Sequence, residues 1–205
     1  MSFFRRARIE PFIAKIDIER LREIQRRYAG LTDRYAKYAD VERWLKINLP
    51  RLRELKLDRS PPKQILDLGC GGGFFLFLAK QFGHSGLGLD VDDFPLSNEL
   101  IDLFGIKRVT SRIRAFQPLP DFGRKFDLIT AFSAAFNRNE NESRGWNIEE
   151  WKFFLDDLDR HLAPGGRIFL EINSGKDKRY FPADIRELFL KRGARVSGER
   201  VYFRF

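Results

Sequence analysis

The segment ILDLGCGGGFF, residues 65–75, constrains the fold more than any other part of this chain. It begins as an apolar strand containing one acid, Asp67, and continues into four glycines within five positions. Glycine loses more conformational entropy on folding than other residues, so a cluster of it needs a structural reason. Close approach of the backbone to a ligand is such a reason, and the segment predicts a turn on which a ligand rests.

The chain after Pro62 predicts an α/β domain in which this turn joins the first strand to the first helix. Predicted strands alternate with predicted helices, and most strands are nearly continuous apolar runs, which is typical of parallel sheets. We expect strands at 64–69, 85–90, 107–116, 126–132 and 167–173, and helices at 74–83, 95–105, 147–162 and 182–193. Residues 194–205 predict a hairpin. The expected fold is a doubly wound, mainly parallel seven-stranded sheet with helices on both faces and a C-terminal antiparallel hairpin.

Residues 1–60 predict a helical extension that precedes the α/β domain of residues 61–205. Helices are expected at 17–30, 32–38 and 40–57, the last kinked or restarted at Pro50. This extension holds 16 Lys/Arg against 9 Asp/Glu, so it carries most of the net charge of +9. Such an excess favours an acidic partner or RNA, although the interleaved acids are also typical of an exposed helix face. Both interpretations stay open.

The cysteine content and the lack of long apolar runs predict a cytoplasmic protein with no membrane partner. No apolar run approaches the roughly 20 residues that cross a bilayer, and the first 20 residues lack the pattern of a secretory signal. The single cysteine, Cys70, cannot form an internal disulfide, which fits a reducing compartment. No metal-ligand cluster surrounds it, so we expect no metal site and interpret Cys70 as a small packed residue. The oligomeric state is left open.

The glycines follow the spacing D-x-G-x-G-x-G, with Asp67, Gly69, Gly71 and Gly73 at the named positions. This differs from the G-x-G-x-x-G of dinucleotide sites and resembles the first motif of the class I (Rossmann-like) S-adenosylmethionine-dependent methyltransferases. Asp90 ends the second strand, where a carboxylate can accept two hydrogen bonds from a ribose diol. The stretches FDLITAF and HLAPGGRIFLEI resemble the fourth-strand and fifth-strand segments of that family.

The resemblance covers residues 64–173 closely and 174–205 loosely, and it implies S-adenosylmethionine as the cofactor. Beyond the acids and glycines of the motifs, it implies contacts to the cofactor from Cys70, Val91, Arg114, Ala115, Ala131 and Phe132. Asp67 would act on the methionyl ammonium through water or backbone, or would only hold the glycine turn. Many members place an acid beside the adenine after the third strand, where this chain has Arg114 and Ala115, so backbone groups and apolar contacts would replace it.

The extension and the loop after the fourth strand contain the remaining candidates. Tyr38 would close the cofactor pocket, as N-terminal aromatic residues of the family do, or would only pack between helices; Tyr35 is a second candidate. Residues 133–147 are expected to border the methyl acceptor, with Asn137, Glu140 and Trp146 as candidate catalytic residues. A general base is needed only if the acceptor loses its proton early.

The expected function is S-adenosylmethionine-dependent methyl transfer to a small-molecule acceptor. The loop lacks the N/D-P-P-Y/F/W motif of enzymes that methylate exocyclic amino groups, and no RNA-binding module is recognisable. One alternative is an RNA methyltransferase that uses the basic extension. Another is a protein that has kept cofactor or partner binding and lost turnover, since fold does not prove function.

Overall fold

The computed structural model describes residues 8–30, 36–137, 145–173 and 181–205, and at its centre is a seven-stranded sheet. The strands are β1 (Gln64–Leu68), β2 (Ser85–Asp90), β3 (Lys107–Thr110), β4 (Phe126–Phe132), β5 (Leu162–Glu171), β6 (Arg195–Ser197) and β7 (Arg200–Phe203). Their order across the sheet is β3-β2-β1-β4-β5-β7-β6. β7 is antiparallel to β5 and β6, and the other neighbouring strands are parallel. The predicted fold class is confirmed.

Helices cover both faces of this sheet. They are α1 (Glu10–Ile13), α2 (Ile18–Tyr28), α3 (Val41–Glu54), α4 (Phe74–Gln81), α5 (Pro95–Phe104), α6 (Ile148–His161) and α7 (Ala183–Lys191). Successive side chains of a strand point to opposite faces. Ile65 of β1 accordingly joins a buried cluster with α2 to α5, whereas Leu66 and Leu68 join a second cluster with α6 and α7.

The extension packs directly on the α/β core. Leu21 and Ile24 of α2 and Leu45 of α3 are buried in the same apolar cluster as α4 and α5. Tyr28 Oη donates a 2.9 Å hydrogen bond to Glu99 of α5, and Arg27 forms an ion pair with the same carboxylate. The division into an extension (residues 1–60) and an α/β domain (residues 61–205) stays a prediction. The apolar contact of α2 and α3 with the core is direct.

Several predicted boundaries were wrong. β3 ends at Thr110 instead of continuing to 116, and the polar chain after it is not part of a strand. β5 begins at Leu162 instead of 167, and residues 163–166 lie within the strand as an irregularity opposite Phe126 and Leu128. α3 continues through Pro50, and the single turn of α1 was not predicted. Throughout the described ranges, no helix combines the length and apolar character needed to cross a membrane.

Candidate functional site

A cavity of about 660 Å³ lies at the carboxyl ends of β1, β2 and β4. In a parallel sheet these ends meet at one edge, which is where open α/β sheets bind ligands. Most of the predicted site residues line this cavity, namely Tyr38, Gly69, Gly71, Asp90, Val91, Arg114, Ala115, Phe132 and Trp146. Asp67, Cys70, Gly73, Ala131 and Asn137 do not line it, and Glu140 and Tyr35 lie outside the described residues.

The glycine turn between β1 and α4 is shaped by backbone geometry that favours glycine. Gly69, Gly71 and Gly73 have φ angles of +69°, +54° and +78°, all in the left-handed region. A Cβ on Gly69 would lie 2.5 Å from the Ala134 Cβ, closer than two carbon atoms can approach. A Cβ on Gly71 would meet nothing within 4 Å. The turn is therefore packed tightly below Gly69 and exposes bare backbone to the cavity at Gly71.

Asp90 ties the end of β2 to this turn. Its Oδ2 accepts a 2.6 Å hydrogen bond from the Gly71 N–H, and its Oδ1 accepts a 2.8 Å bond from the Val91 N–H. Burial raises the pKa of Asp90 above its ordinary value, and these two backbone hydrogen bonds offset only part of that rise. Each carboxylate oxygen has a second acceptor position, so Asp90 can still accept hydrogen bonds from a ligand in the cavity.

Asp67 and Cys70 lie beneath the turn, out of the cavity wall. The Asp67 side chain is buried, and its Oδ1 accepts a 2.7 Å hydrogen bond from Thr130 Oγ1 on the neighbouring strand. Burial raises the pKa of Asp67 to about 7, against the lowering effects of Thr130 and of the nearby Arg51 charge. Cys70 is buried, and burial raises the pKa of its thiol. The Cys70 Sγ occupies the space where Gly88 has no side chain. Both side chains are therefore buried within the fold, Asp67 bonded to β4 and Cys70 packed against β2.

The end of β4 is held in a strained backbone conformation at Ser133. Its φ is +54°, a region that side-chain-bearing residues rarely occupy. The Ser133 N–H donates to the Glu171 carbonyl at 2.9 Å, and its hydroxyl donates to Glu171 Oε1 at 2.8 Å. Asn173 Nδ2 donates to the Ser133 carbonyl. Such strain persists where surrounding contacts determine the conformation, and strained residues cluster at functional sites.

Arg51 of α3 brings the extension into contact with this strained end. Its guanidinium forms an ion pair with Glu171 and lies 4.8 Å from the centre of the Phe132 ring. Only 16% of the Arg51 side chain and 8% of the Glu171 side chain are exposed. Arg200 of β7 bridges Glu171 to Glu54 at 3.5 Å and 3.0 Å. This network was not predicted from the sequence, although a carboxylate inside the apolar stretch FLEI was a signal.

Tyr38 reaches the cavity from the extension on an aromatic stack. Its ring centre lies 4.6 Å from that of Trp44, which in turn lies 6.0 Å from that of Phe74 at the start of α4. The Trp44 indole N–H donates to the Lys37 carbonyl at 3.0 Å. Tyr38 therefore both lines the cavity and packs between the extension and α4, so the two roles considered for it are compatible.

Other parts of the described surface offer less to a ligand. A concavity of about 680 Å³ on the outer face of α2 is lined by charged and polar side chains such as Glu19, Arg22 and Arg26, away from the glycine turn. In the described part of the chain, no group of three or more His, Cys, Asp or Glu side chains could hold a metal ion. The cavity at the glycine turn is thus where most of the predicted site residues meet.

Comparison with known proteins identifies the kind of domain. A family model described as a methyltransferase domain matches residues 66–170. A tRNA U34 carboxymethyltransferase of Campylobacter jejuni subsp. doylei is 26% identical over 119 residues, which is 57% of this chain and 38% of that protein. A ubiquinone biosynthesis O-methyltransferase of Pseudomonas aeruginosa is 26% identical over 125 residues, which is 60% of this chain and 50% of that protein. The chain thus spans at most about half the length of these relatives.

Solved structures share the fold. An O-methyltransferase family protein from Burkholderia thailandensis superposes with a TM-score of 0.53 at 16% sequence identity, covering 90% of this chain and 66% of that chain. At this identity the likeness concerns the arrangement of helices and strands.

Proposed function

The chain belongs to the methyltransferase domain family, and on this premise we propose that it transfers a methyl group from S-adenosylmethionine to a small-molecule acceptor. One observation carries the proposal: the glycine turn and the acid at the end of β2 meet in one cavity, where Asp90 accepts the Gly71 N–H. This arrangement supports Asp90 as the acceptor for a ribose diol, because its carboxylate lies beside bare backbone at the sheet edge.

The residues present fit the cofactor. The backbone face at Gly71 has free space, as a nucleoside needs to lie close to the turn. Asp90 would hold the ribose hydroxyls, and Val91, Arg114 and Ala115 would flank the adenine. Tyr38 would cover the pocket from the extension side. When bound, S-adenosylmethionine supplies a methyl group activated by its sulfonium sulfur.

The protein's contribution is positioning and exclusion of water. An in-line displacement requires the acceptor atom and the methyl carbon to be aligned within a near-attack distance. The fixed geometry of Phe132 and Ser133 at the end of β4 supplies a rigid wall for that alignment. Phe132, Phe136 and Trp146 give this wall an apolar surface that keeps water from the reacting atoms. An acceptor that carries a proton would release it to solvent once the methylated product leaves the cavity.

A small-molecule acceptor is supported by the size and the walls of the cavity. Its volume of about 660 Å³ lies within the range of small-molecule sites, and aromatic side chains contribute to its walls. The relative named for ubiquinone biosynthesis is in keeping with such an acceptor. We further propose a cytoplasmic location, because the only cysteine of the 205 residues is buried and free.

RNA is the second candidate acceptor, and a specific observation favours it. The relative named for tRNA U34 indicates RNA, and residues 1–60 carry an excess of basic residues that could attract it. In the described part of that segment, however, some of the charge is neutralised within the protein, since Arg27 pairs with Glu99 and Arg51 with Glu171.

Calorimetry and a labelled-methyl assay test the proposal together. We expect the protein to bind S-adenosylhomocysteine and not NAD; tighter binding of NAD would refute the cofactor assignment. Tritiated S-adenosylmethionine is then incubated with the protein and either a small-molecule extract or total RNA from the same cells. Label in the small-molecule fraction supports the proposal, and label in RNA alone supports the second candidate. Binding with no label transferred to either fraction supports a protein that has lost turnover.

A further inference from the structure

Trp146, which lines the cavity, carries an unusual polar group. Its side chain is only 2% exposed, yet its indole N–H has no hydrogen-bond partner among the residues that the structure describes. Buried polar groups in folded proteins are nearly always hydrogen-bonded, and an exception calls for an explanation. Trp146 lines the cavity, so a bound ligand can supply the missing acceptor.

The position of this indole is fixed by its neighbours. Its ring centre lies 5.5 Å from that of Phe136, 5.5 Å from that of Trp151 and 5.2 Å from that of Phe154. Its backbone N–H donates to the Asn137 carbonyl at 2.9 Å. The N–H therefore belongs to a packed aromatic cluster and offers a donor in one orientation.

The surrounding wall offers a ligand little other polar chemistry. From the end of β4 the wall consists of residues 132–136, and their side chains are apolar except that of Ser133. The Ser133 hydroxyl already donates to Glu171. Within the described part of this wall, the Trp146 N–H is thus the side-chain donor left for a ligand, and the rings of Phe132 and Phe136 provide flat apolar contact.

From these contacts we infer that the acceptor molecule is a planar ring that carries an oxygen, and that the Trp146 indole N–H donates to that oxygen. The inference rests on the proposed function, in which the end of β4 faces the acceptor. Aromatic rings pack favourably against the edges and faces of Phe and Trp side chains. A site that provides a hydrogen bond for a substrate oxygen discriminates strongly against analogues without it, because its own buried group would remain unpaired.

The substitution Trp146→Phe removes the N–H while keeping an aromatic ring in the cluster. Trp151→Phe is the matched control, because Trp151 is equally buried in the same cluster but does not line the cavity. Both variants are loaded with S-adenosylhomocysteine, and binding of catechol and guaiacol is measured by ligand-observed NMR. Toluene, a ring without oxygen, serves as the comparison probe.

We expect wild type and Trp151→Phe to bind both phenols more tightly than toluene, and Trp146→Phe to bind the phenols about tenfold more weakly, with S-adenosylhomocysteine affinity unchanged. The inference is wrong if neither phenol binds the loaded wild-type protein, or if Trp146→Phe binds them as wild type does. It is also wrong if Trp146→Phe loses S-adenosylhomocysteine affinity, since the N–H would then serve the cofactor. If wild type fails to bind S-adenosylhomocysteine, the proposed function fails first and the inference with it.

Discussion

The two walls of the cavity are built in different ways. The glycine-turn wall consists of Gly69 and Gly71, of Asp90 and Val91 at the end of β2, and of residues 111–115. Its parts are held together through hydrogen bonds to backbone N–H groups. The Asp90 carboxylate, for example, accepts the Gly71 N–H. The β4 wall consists of residues 132–136 and Trp146. It is joined by side chains that are distant in sequence, since Arg51 and Ser133 both contact Glu171.

This difference explains what each wall can do. A backbone-built wall depends on a short motif and suits a ligand that is the same throughout a family. A wall built from side chains of several elements can change with few substitutions, which suits an acceptor that differs from one member to the next. We therefore expect changes in the two walls to affect different properties, and the following predictions test that separation.

The largest expected effect comes from Gly69→Ala in the glycine-turn wall. Positive φ costs a residue with a side chain roughly 1–2 kcal/mol, and the contact with Ala134 adds roughly 1–3 kcal/mol of overpacking. Gly83→Ala is the matched control, because Gly83 has a φ of +86° but a Cβ there would meet nothing within 4 Å. Urea denaturation should show a larger loss of unfolding free energy for Gly69→Ala. Equal losses would mean that the turn is not tightly packed against the β4 segment.

Arg51→Ala should affect the β4 wall. Removing this partner leaves the buried Glu171 carboxylate with Arg200 as its cation and the Ser133 hydroxyl as a donor, and we expect a loss of roughly 2 kcal/mol of unfolding free energy. Lys46→Ala removes an exposed i,i+4 pair with Glu42 on the same helix and should cost under about 0.5 kcal/mol. Affinity for S-adenosylhomocysteine should stay within about twofold of wild type. A large loss of that affinity in folded Arg51→Ala would contradict the separation of the walls.

Asp90→Ala tests cofactor binding at the glycine-turn wall. Hydrogen bonds to a charged group are worth roughly 1.5–3 kcal/mol each, and water recovers part of that, so we expect a loss of about 2 kcal/mol. This corresponds to roughly 30-fold weaker binding of S-adenosylhomocysteine. Because Asp90 also accepts the Gly71 and Val91 N–H groups, the variant should lose some stability as well. Asp92→Ala is the control in calorimetry; if it weakens binding as much as Asp90→Ala, the ribose assignment is wrong.

The smallest predicted effect is the change in stability between pH 6 and pH 7 that arises at Asp67. The pKa of the Asp67 carboxyl is about 7 in the folded protein and 3.8 ordinarily. Between these pH values the carboxyl is therefore protonated in the folded state and ionised in the unfolded state. The unfolding free energy should therefore fall as pH rises from 4 towards 7 and level off above, by at most about 1.4 kcal/mol per pH unit. Between pH 6 and 7 we expect about 1 kcal/mol. Urea denaturation of Asp67→Asn should lack this component, and an identical pH profile would show that Asp67 is ionised throughout.

The sequence predicted the glycine-turn wall better than the β4 wall. The class I methyltransferase resemblance, based on Asp67, the glycines and Asp90, is confirmed by the family match over residues 66–170. Local signals carried that information, because turn geometry and strand ends depend on neighbouring residues. The pairing of Arg51 with Glu171 spans 120 positions and depends on how α3 packs, which no local pattern specifies. The end of β3 at Thr110 likewise depends on its pairing with β2 and on residues 111–115, which line the cavity. No local pattern specifies these contacts.

A crystal structure of the protein with S-adenosylhomocysteine tests the central claim most directly. We predict that the ribose hydroxyls lie within hydrogen-bonding distance of the Asp90 carboxylate, and that the sulfur faces Phe132 and Ser133 with Trp146 beyond it. S-adenosylhomocysteine bound elsewhere, or bound in the cavity with its ribose away from Asp90 or its sulfur away from the end of β4, would contradict the two-wall account.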